Sequence, residues 1–104
     1  METIEKIKQQ ISTNSILLYM KGSPEFPACG FSSKASEILI ACGGKFSHVN
    51  VLQNPDIRSL LPSYAKWPTF PQLWIQGKLI GGYDIMLEMF QKGELQKLIQ
   101  KNNK

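Results

Sequence analysis

Histidine and arginine each occur once in these 104 residues, as His48 and Arg58, and cysteine occurs twice, as Cys29 and Cys42. A structural zinc centre takes four protein ligands, chiefly thiolates and imidazoles, so one imidazole and two separated thiols argue against such a site within one chain. His48 falls in a predicted strand and reads as structural. The two cysteines stand thirteen positions apart on what reads as one helix. That separation sets their sulfurs ~20 Å apart, whereas a disulfide needs Cα atoms within ~7 Å. No internal bridge is expected, and without a disulfide framework or a signal peptide the expected compartment is the reducing cytoplasm. No apolar run approaches the ~18 residues of a membrane span. Glu2, Glu5 and Lys6 interrupt the N-terminal segment, so neither membrane insertion nor a targeting segment is expected. The net charge of +4 comes from lysines scattered along the chain, which describes a solvated surface rather than a nucleic-acid footprint. Internal repeats are also absent. The length suits one domain over residues 1–104 with a modest core, and the polar end Lys101-Asn102-Asn103-Lys104 is expected to fray.

What the chain does have is Cys29-Gly30-Phe31-Ser32, a thiol at the point where a loop becomes a helix. Phe31, Ala35, Ile38, Leu39 and Cys42 recur at helical spacing, with Ser33, Lys34 and Glu37 on the other face, and Gly43-Gly44 stops the run. A sulfur at a helix's first turn meets unpaired backbone N–H groups and the positive end of the helix dipole, which favour thiolate over thiol. Lys21 adds positive charge. One reading of Cys29 is therefore a nucleophile or metal ligand with a lowered pKa; the other is a small buried apolar side chain. The preceding Gly22-Ser23-Pro24-Glu25-Phe26-Pro27-Ala28 reads as surface loop and supports the first. Cys42 shares a face with Ile38 and Leu39 and reads as packed core. Phe31 is open to two readings, an exposed ring beside the thiol or the start of the helix's apolar series.

Ile4, Ile7 and Ile11 predict a helix over residues 3–13, followed by the run Ile16-Leu17-Leu18-Tyr19-Met20 as a central strand buried on both faces. A second strand is expected from His48 to Leu52, joined through the Cys29 helix as a parallel βαβ unit. Asn54 and Pro55 signal the start of a helix carrying Ile57, Leu60, Leu61 and Tyr64 inward, which Pro62 is expected to bend or split. Leu73-Trp74-Ile75 and Lys78-Leu79-Ile80 flank Gln76-Gly77 as an antiparallel hairpin. From Asp84 the chain is helical again, with an interruption at Gly93. Arg58 and Lys21 suit a ligand carboxylate, and Gly82, Tyr83 and Asp84 form a glycine turn into a helix whose N–H groups suit a second one. Taken one at a time, these positions also fit ordinary surface.

The order α-β-α-β-α-β-β-α-α, with a loop cysteine after the first strand and Thr69-Phe70-Pro71 before the third, resembles the thioredoxin fold, an α/β four-stranded mixed sheet flanked by helices. More narrowly, the chain resembles the single-domain monothiol glutaredoxins. The resemblance rests on Lys21-Gly22, Pro27-Ala28-Cys29-Gly30-Phe31-Ser32, Trp67-Pro68-Thr69-Phe70-Pro71-Gln72 and Gly81-Gly82 with Asp84, four segments in the family's order across the whole chain. It implies a cis Phe70-Pro71 bond that turns the Phe70 backbone toward the thiol, and a glutathione site at Lys21, Arg58, Phe70, Tyr83 and Asp84 with Cys29 as the reactive group. It also implies a labile [2Fe–2S] cluster. Such a centre commonly takes four thiolates; Cys29 supplies one per subunit, a symmetric homodimer two, and two glutathione sulfurs complete the set. The implied role is a carrier that passes the cluster to acceptor apoproteins, with a BolA-like protein able to replace one subunit. The competing expectation is a glutathione-dependent oxidoreductase that works through one thiol, and the long Gly22–Ala28 loop accompanies poor activity of that kind in the resembled family. A third expectation is an interaction module with an idle thiol. Some relatives carry cysteine where this chain has Tyr83, so no second accessible thiol is expected to resolve a mixed disulfide.

Overall fold

The computed structural model describes residues 2–102. The elements run α1 (Glu2–Thr13), β1 (Ile16–Met20), α2 (Gly30–Ala41), β2 (Ser47–Asn50), α3 (Pro55–Ala65), β3 (Gln72–Ile75), β4 (Lys78–Gly81), α4 (Tyr83–Gln91) and α5 (Glu94–Asn102). The sheet order is β2-β1-β3-β4. β1 pairs in parallel with β2 and antiparallel with β3, and β3 pairs antiparallel with β4. The element order, the parallel βαβ unit and the antiparallel hairpin are those expected from the sequence.

Alternation along β1 explains why the sheet is covered on both faces. Ile16, Leu18 and Met20 join Leu73 and Ile75 in a cluster with Ala35, Ile38 and Leu39 of α2, Met86 of α4 and Leu95 and Ile99 of α5. Leu17 and Tyr19 point the other way, into a cluster with Ile7 and Ile11 of α1, Ile57 and Leu61 of α3 and Trp74. All five β1 residues are buried, as a central strand between two helical layers requires. The Tyr19 hydroxyl is satisfied by donating to Gln10 Oε1 at 2.8 Å. Gln76 and Gly77 both adopt positive φ, 52° and 77°, the backbone of a two-residue turn that joins strongly twisted strands.

Several details differ from the sequence expectations. β2 ends at Asn50 rather than Leu52, because the Asn50 side chain turns the chain by accepting from the Leu52 N–H at 3.0 Å. His48 lies exposed on this edge strand. α3 runs unbroken through Pro62. The proline sits in the helix's last turn, so only one backbone bond near the end is forfeited. Asn54 occupies the N-cap position of α3 without capping it, since its side-chain amide donates instead to the Asn50 carbonyl at 2.9 Å. Tyr64, expected inward, is 38% exposed. Ile57 and Leu61 already fill the core-facing stripe, and the Tyr64 ring rests 6.5 Å from that of Trp74. The buried face of α2 is Ser32, Ala35, Ser36, Ile38 and Leu39, which leaves Phe31 exposed. The two serines are tolerated inside because the Ser32 hydroxyl accepts from the Lys21 N–H and the Ser36 hydroxyl donates to the Ser33 carbonyl. At the C-terminal end, Lys101 and Asn102 belong to α5 rather than to a frayed tail; Asn103 and Lys104 lie outside the described residues.

Candidate active-site groove

Cys29 occupies the N-cap position of α2, with extended backbone and no side-chain cap bond. Its carbonyl accepts from Ser33 N–H at 2.9 Å, so the helix begins around it. The sulfur faces first-turn donors that have no partner within the helix. The Ser32 backbone N–H, helped by the Phe31 N–H, the Ser32 hydroxyl and the Lys21 charge, lowers its pKa against a smaller opposing effect of partial burial. Ser32, where dithiol relatives would carry a second cysteine, is fully buried. Its hydroxyl accepts from Lys21 N–H at 3.0 Å, pinning the end of β1 to the start of α2.

The loop between Lys21 and Cys29 is closed by its own backbone. Gly22 bridges to Pro27, Ala28 N–H donates to the Lys21 carbonyl, and Ser23 and Phe26 exchange N–H···O bonds. Gly22 has φ +91°, and a Cβ there would lie 2.5 Å from the Phe26 oxygen and 2.6 Å from the Ala28 nitrogen, so only glycine fits. Its N–H donates to Asn50 Oδ1 at 2.9 Å, tying the loop to the end of β2.

Facing the thiol, the Phe70-Pro71 peptide bond is cis. The segment before it is held by Gln72, which is fully buried. Its amide donates to the carbonyls of Trp67 and Thr69 and its oxygen accepts from Trp74 Nε1. Gly82 caps α4, and a Cβ there would lie 3.3 Å from both the Pro71 oxygen and Trp67 Nε1. This close approach brings the α4 N-terminus against the cis-proline segment.

Between these parts runs a groove of about 710 Å³ lined by all six residues singled out from the sequence, Lys21, Cys29, Arg58, Phe70, Tyr83 and Asp84. Trp67, Thr69, Pro62 and Ile85 line it too. Sequence reasoning had taken Trp67 and Thr69 only as motif positions; their signal was their place beside Pro68 and Pro71, which bend the segment across the groove. Both cysteines are free. Cys42 is buried, and burial pushes its thiol pKa up, as expected of a core cysteine. Neither Cys42 nor His48 lines the groove. Among the described residues, no group of three or more histidine, cysteine, aspartate or glutamate side chains is placed to hold a metal ion.

A sequence model of the Glutaredoxin family matches residues 16–80. The chain belongs to the glutaredoxin family. Glutaredoxin 4 of Haemophilus ducreyi is 67% identical over 100 residues, covering 96% of this chain and 94% of that protein. Glutaredoxin 4 of Escherichia coli K12 is 64% identical over 98 residues, covering 94% and 85%. Among solved structures, reduced poplar apo GrxS14 is 39% identical with a TM-score of 0.80, covering 95% of this chain and 91% of that one. The sheet and its helices are therefore those of the thioredoxin fold as glutaredoxins use it, and this glutaredoxin is of the monothiol, glutaredoxin-4-like kind.

Proposed function

We propose that this glutaredoxin binds glutathione in the groove and carries a labile [2Fe–2S] cluster as cargo between two copies of itself, handing it to acceptor apoproteins in the cytoplasm. The observation that carries the reading is one partly exposed, thiolate-prone sulfur in a groove that also holds two cationic side chains and a helix N-terminus. Glutathione is a short peptide with a carboxylate at each end and a thiol between. Lys21 and Arg58 suit one carboxylate, and the unpaired N–H groups after Gly82 suit the other. The Phe70 backbone beside the cis-proline suits the extended peptide between them.

The donor set supports a cluster shared between copies. One chain offers one accessible thiol among the described residues, so two copies of Cys29 and two glutathione thiols would make up the four sulfur ligands such a cluster commonly takes. Delivery is then ligand exchange, in which acceptor thiolates replace those of Cys29 and glutathione with no net redox change. A BolA-like protein in place of one copy would supply its own ligand; co-purification with an altered cluster spectrum tests that pairing. The main test is anaerobic reconstitution with iron, sulfide and glutathione, followed by visible circular dichroism and size-exclusion chromatography. A dimeric chromophore lost without glutathione and in Cys29→Ser supports the carrier. An unchanged yield in Cys29→Ser overturns it.

The lowered thiol pKa also favours a second reading, a monothiol oxidoreductase. Cys29 thiolate would attack the glutathionyl sulfur of a mixed disulfide and release the protein thiol. A second glutathione thiolate would then attack the Cys29–glutathione disulfide, freeing Cys29 and oxidised glutathione. Brisk turnover of a glutathione mixed disulfide without cluster binding selects this reading.

A further inference from the structure

Phe31 is 58% exposed, yet its ring is not isolated. Its centroid lies 5.8 Å from that of Tyr83, with the planes at 44°. Lys34 carries its ammonium 5.9 Å from the centre of the same tyrosine ring. Residues three apart share a helix face, so α2 grips Tyr83 of α4 with one apolar and one cationic side chain. Both contacts fall within attractive range. Tyr83 packs from behind against the core cluster that includes Met86, which anchors it and, through it, the Phe31 ring. Phe31 and Tyr83 line the same groove as Cys29 and close it between the first turns of the two helices. The facing side, from Trp67 to Pro71, is held by the Gln72 hydrogen bonds, which leaves the aromatic pair opposite a fixed segment.

We propose that the Phe31–Tyr83 pair, steadied by Lys34, is a selectivity wall that narrows the approach to Cys29 on the α2–α4 side, admitting slender extended thiol peptides and hindering bulky reactants. The identity of the slender ligand rests on the glutathione reading; the wall is a property of this chain alone. Tyr83 is the positioning residue of the pair, because it holds Phe31 over the groove.

The test compares alkylation of Cys29 by iodoacetamide and by the bulkier fluorescein maleimide in the wild type, F31A, Y83A, the double variant and Y83F. Buried Cys42 stays silent in the folded chain, and far-ultraviolet circular dichroism confirms folding. Both reagents attack the thiolate, so the ratio of their rates cancels any change in ionisation. The ratio of the maleimide rate to the iodoacetamide rate is expected to rise on the order of two- to tenfold in either alanine variant, the rate equivalent of one aromatic pair. It should rise little further in the double variant, as for two groups acting as one, and stay at the wild-type value in Y83F. An unchanged ratio in F31A, whose exposed ring is not needed for folding, overturns the proposal, as do gains that add fully in the double variant. Calorimetry of wild type with glutathione runs alongside. Absence of binding there defeats the glutathione reading, while the alkylation ratios still decide the wall.

Discussion

Replacing Ser32 with alanine removes a hydroxyl that is fully buried and accepts the Lys21 N–H at 3.0 Å. The Lys21 amide is left without an acceptor in a half-buried position, at a cost of about 1–3 kcal/mol. For a chain of this size each kcal/mol corresponds to roughly 4–8 °C in Tm, so the melting curve should move down by several degrees. The same hydroxyl is one of the groups lowering the Cys29 pKa, but the largest contribution is the Ser32 backbone N–H, which alanine retains. The inflection in alkylation rate against pH should therefore move up toward that of an ordinary thiol without reaching it. In the wild type the lowered folded-state pKa gives stability that is present above the unfolded thiol's pKa and is lost as pH falls through the folded value; S32A should narrow that window. Thermal melts across pH and stopped-flow alkylation read both effects. A melting curve and an alkylation profile both unchanged in S32A would refute the assignment of Ser32 as the pin between β1 and the thiolate.

Native protein should titrate one thiol with Ellman's reagent and unfolded protein two, because Cys42 is buried with its pKa raised while Cys29 is accessible; two fast thiols in the native state would contradict the packing of α2. Gly22→Ala should destabilise by more than ~1 kcal/mol, since φ +91° disfavours a side chain and the new Cβ meets the Phe26 carbonyl; a denaturant midpoint equal to wild type would show that the loop is not held as described. Burial raises the Tyr19 pKa far above that of a free phenol. Alkaline absorbance titration should accordingly show Tyr19 ionising only as the chain unfolds, and reversible ionisation of all three tyrosines before unfolding would count against its burial. Lys21→Ala and Arg58→Ala should each weaken glutathione binding on the order of tenfold, as expected for loss of one charge-assisted hydrogen bond; unchanged calorimetric affinity in both would remove these residues from the ligand site.

The sequence by itself determined the order of elements, and with the family resemblance it named six of the residues that line the groove. Periodicity is a local property: a five-residue apolar run has only one place to go, the middle of a sheet covered on both faces, and helical spacing with its start and stop signals marks out α1 to α5. Cys29 was legible where a loop becomes a helix, and Tyr83 and Asp84 in a glycine turn into the next helix; the family resemblance gathered them with Lys21, Arg58 and Phe70 into one site, and all six line the groove. Only the tertiary structure decided which face of α2 is buried. Phe31 carries more apolar surface than Ser32, yet Ser32 goes inside because the Lys21 N–H, eleven residues earlier, meets its hydroxyl. The same holds for Asn50, which fastens the Gly22 loop from 28 residues away, and for Gln72, whose burial depends on the Trp67 and Thr69 carbonyls bending back over it. Hydrophobicity patterns carry no record of such partners. A polar side chain is buried or exposed according to which backbone group the fold brings to meet it, and that meeting exists only once the elements have packed.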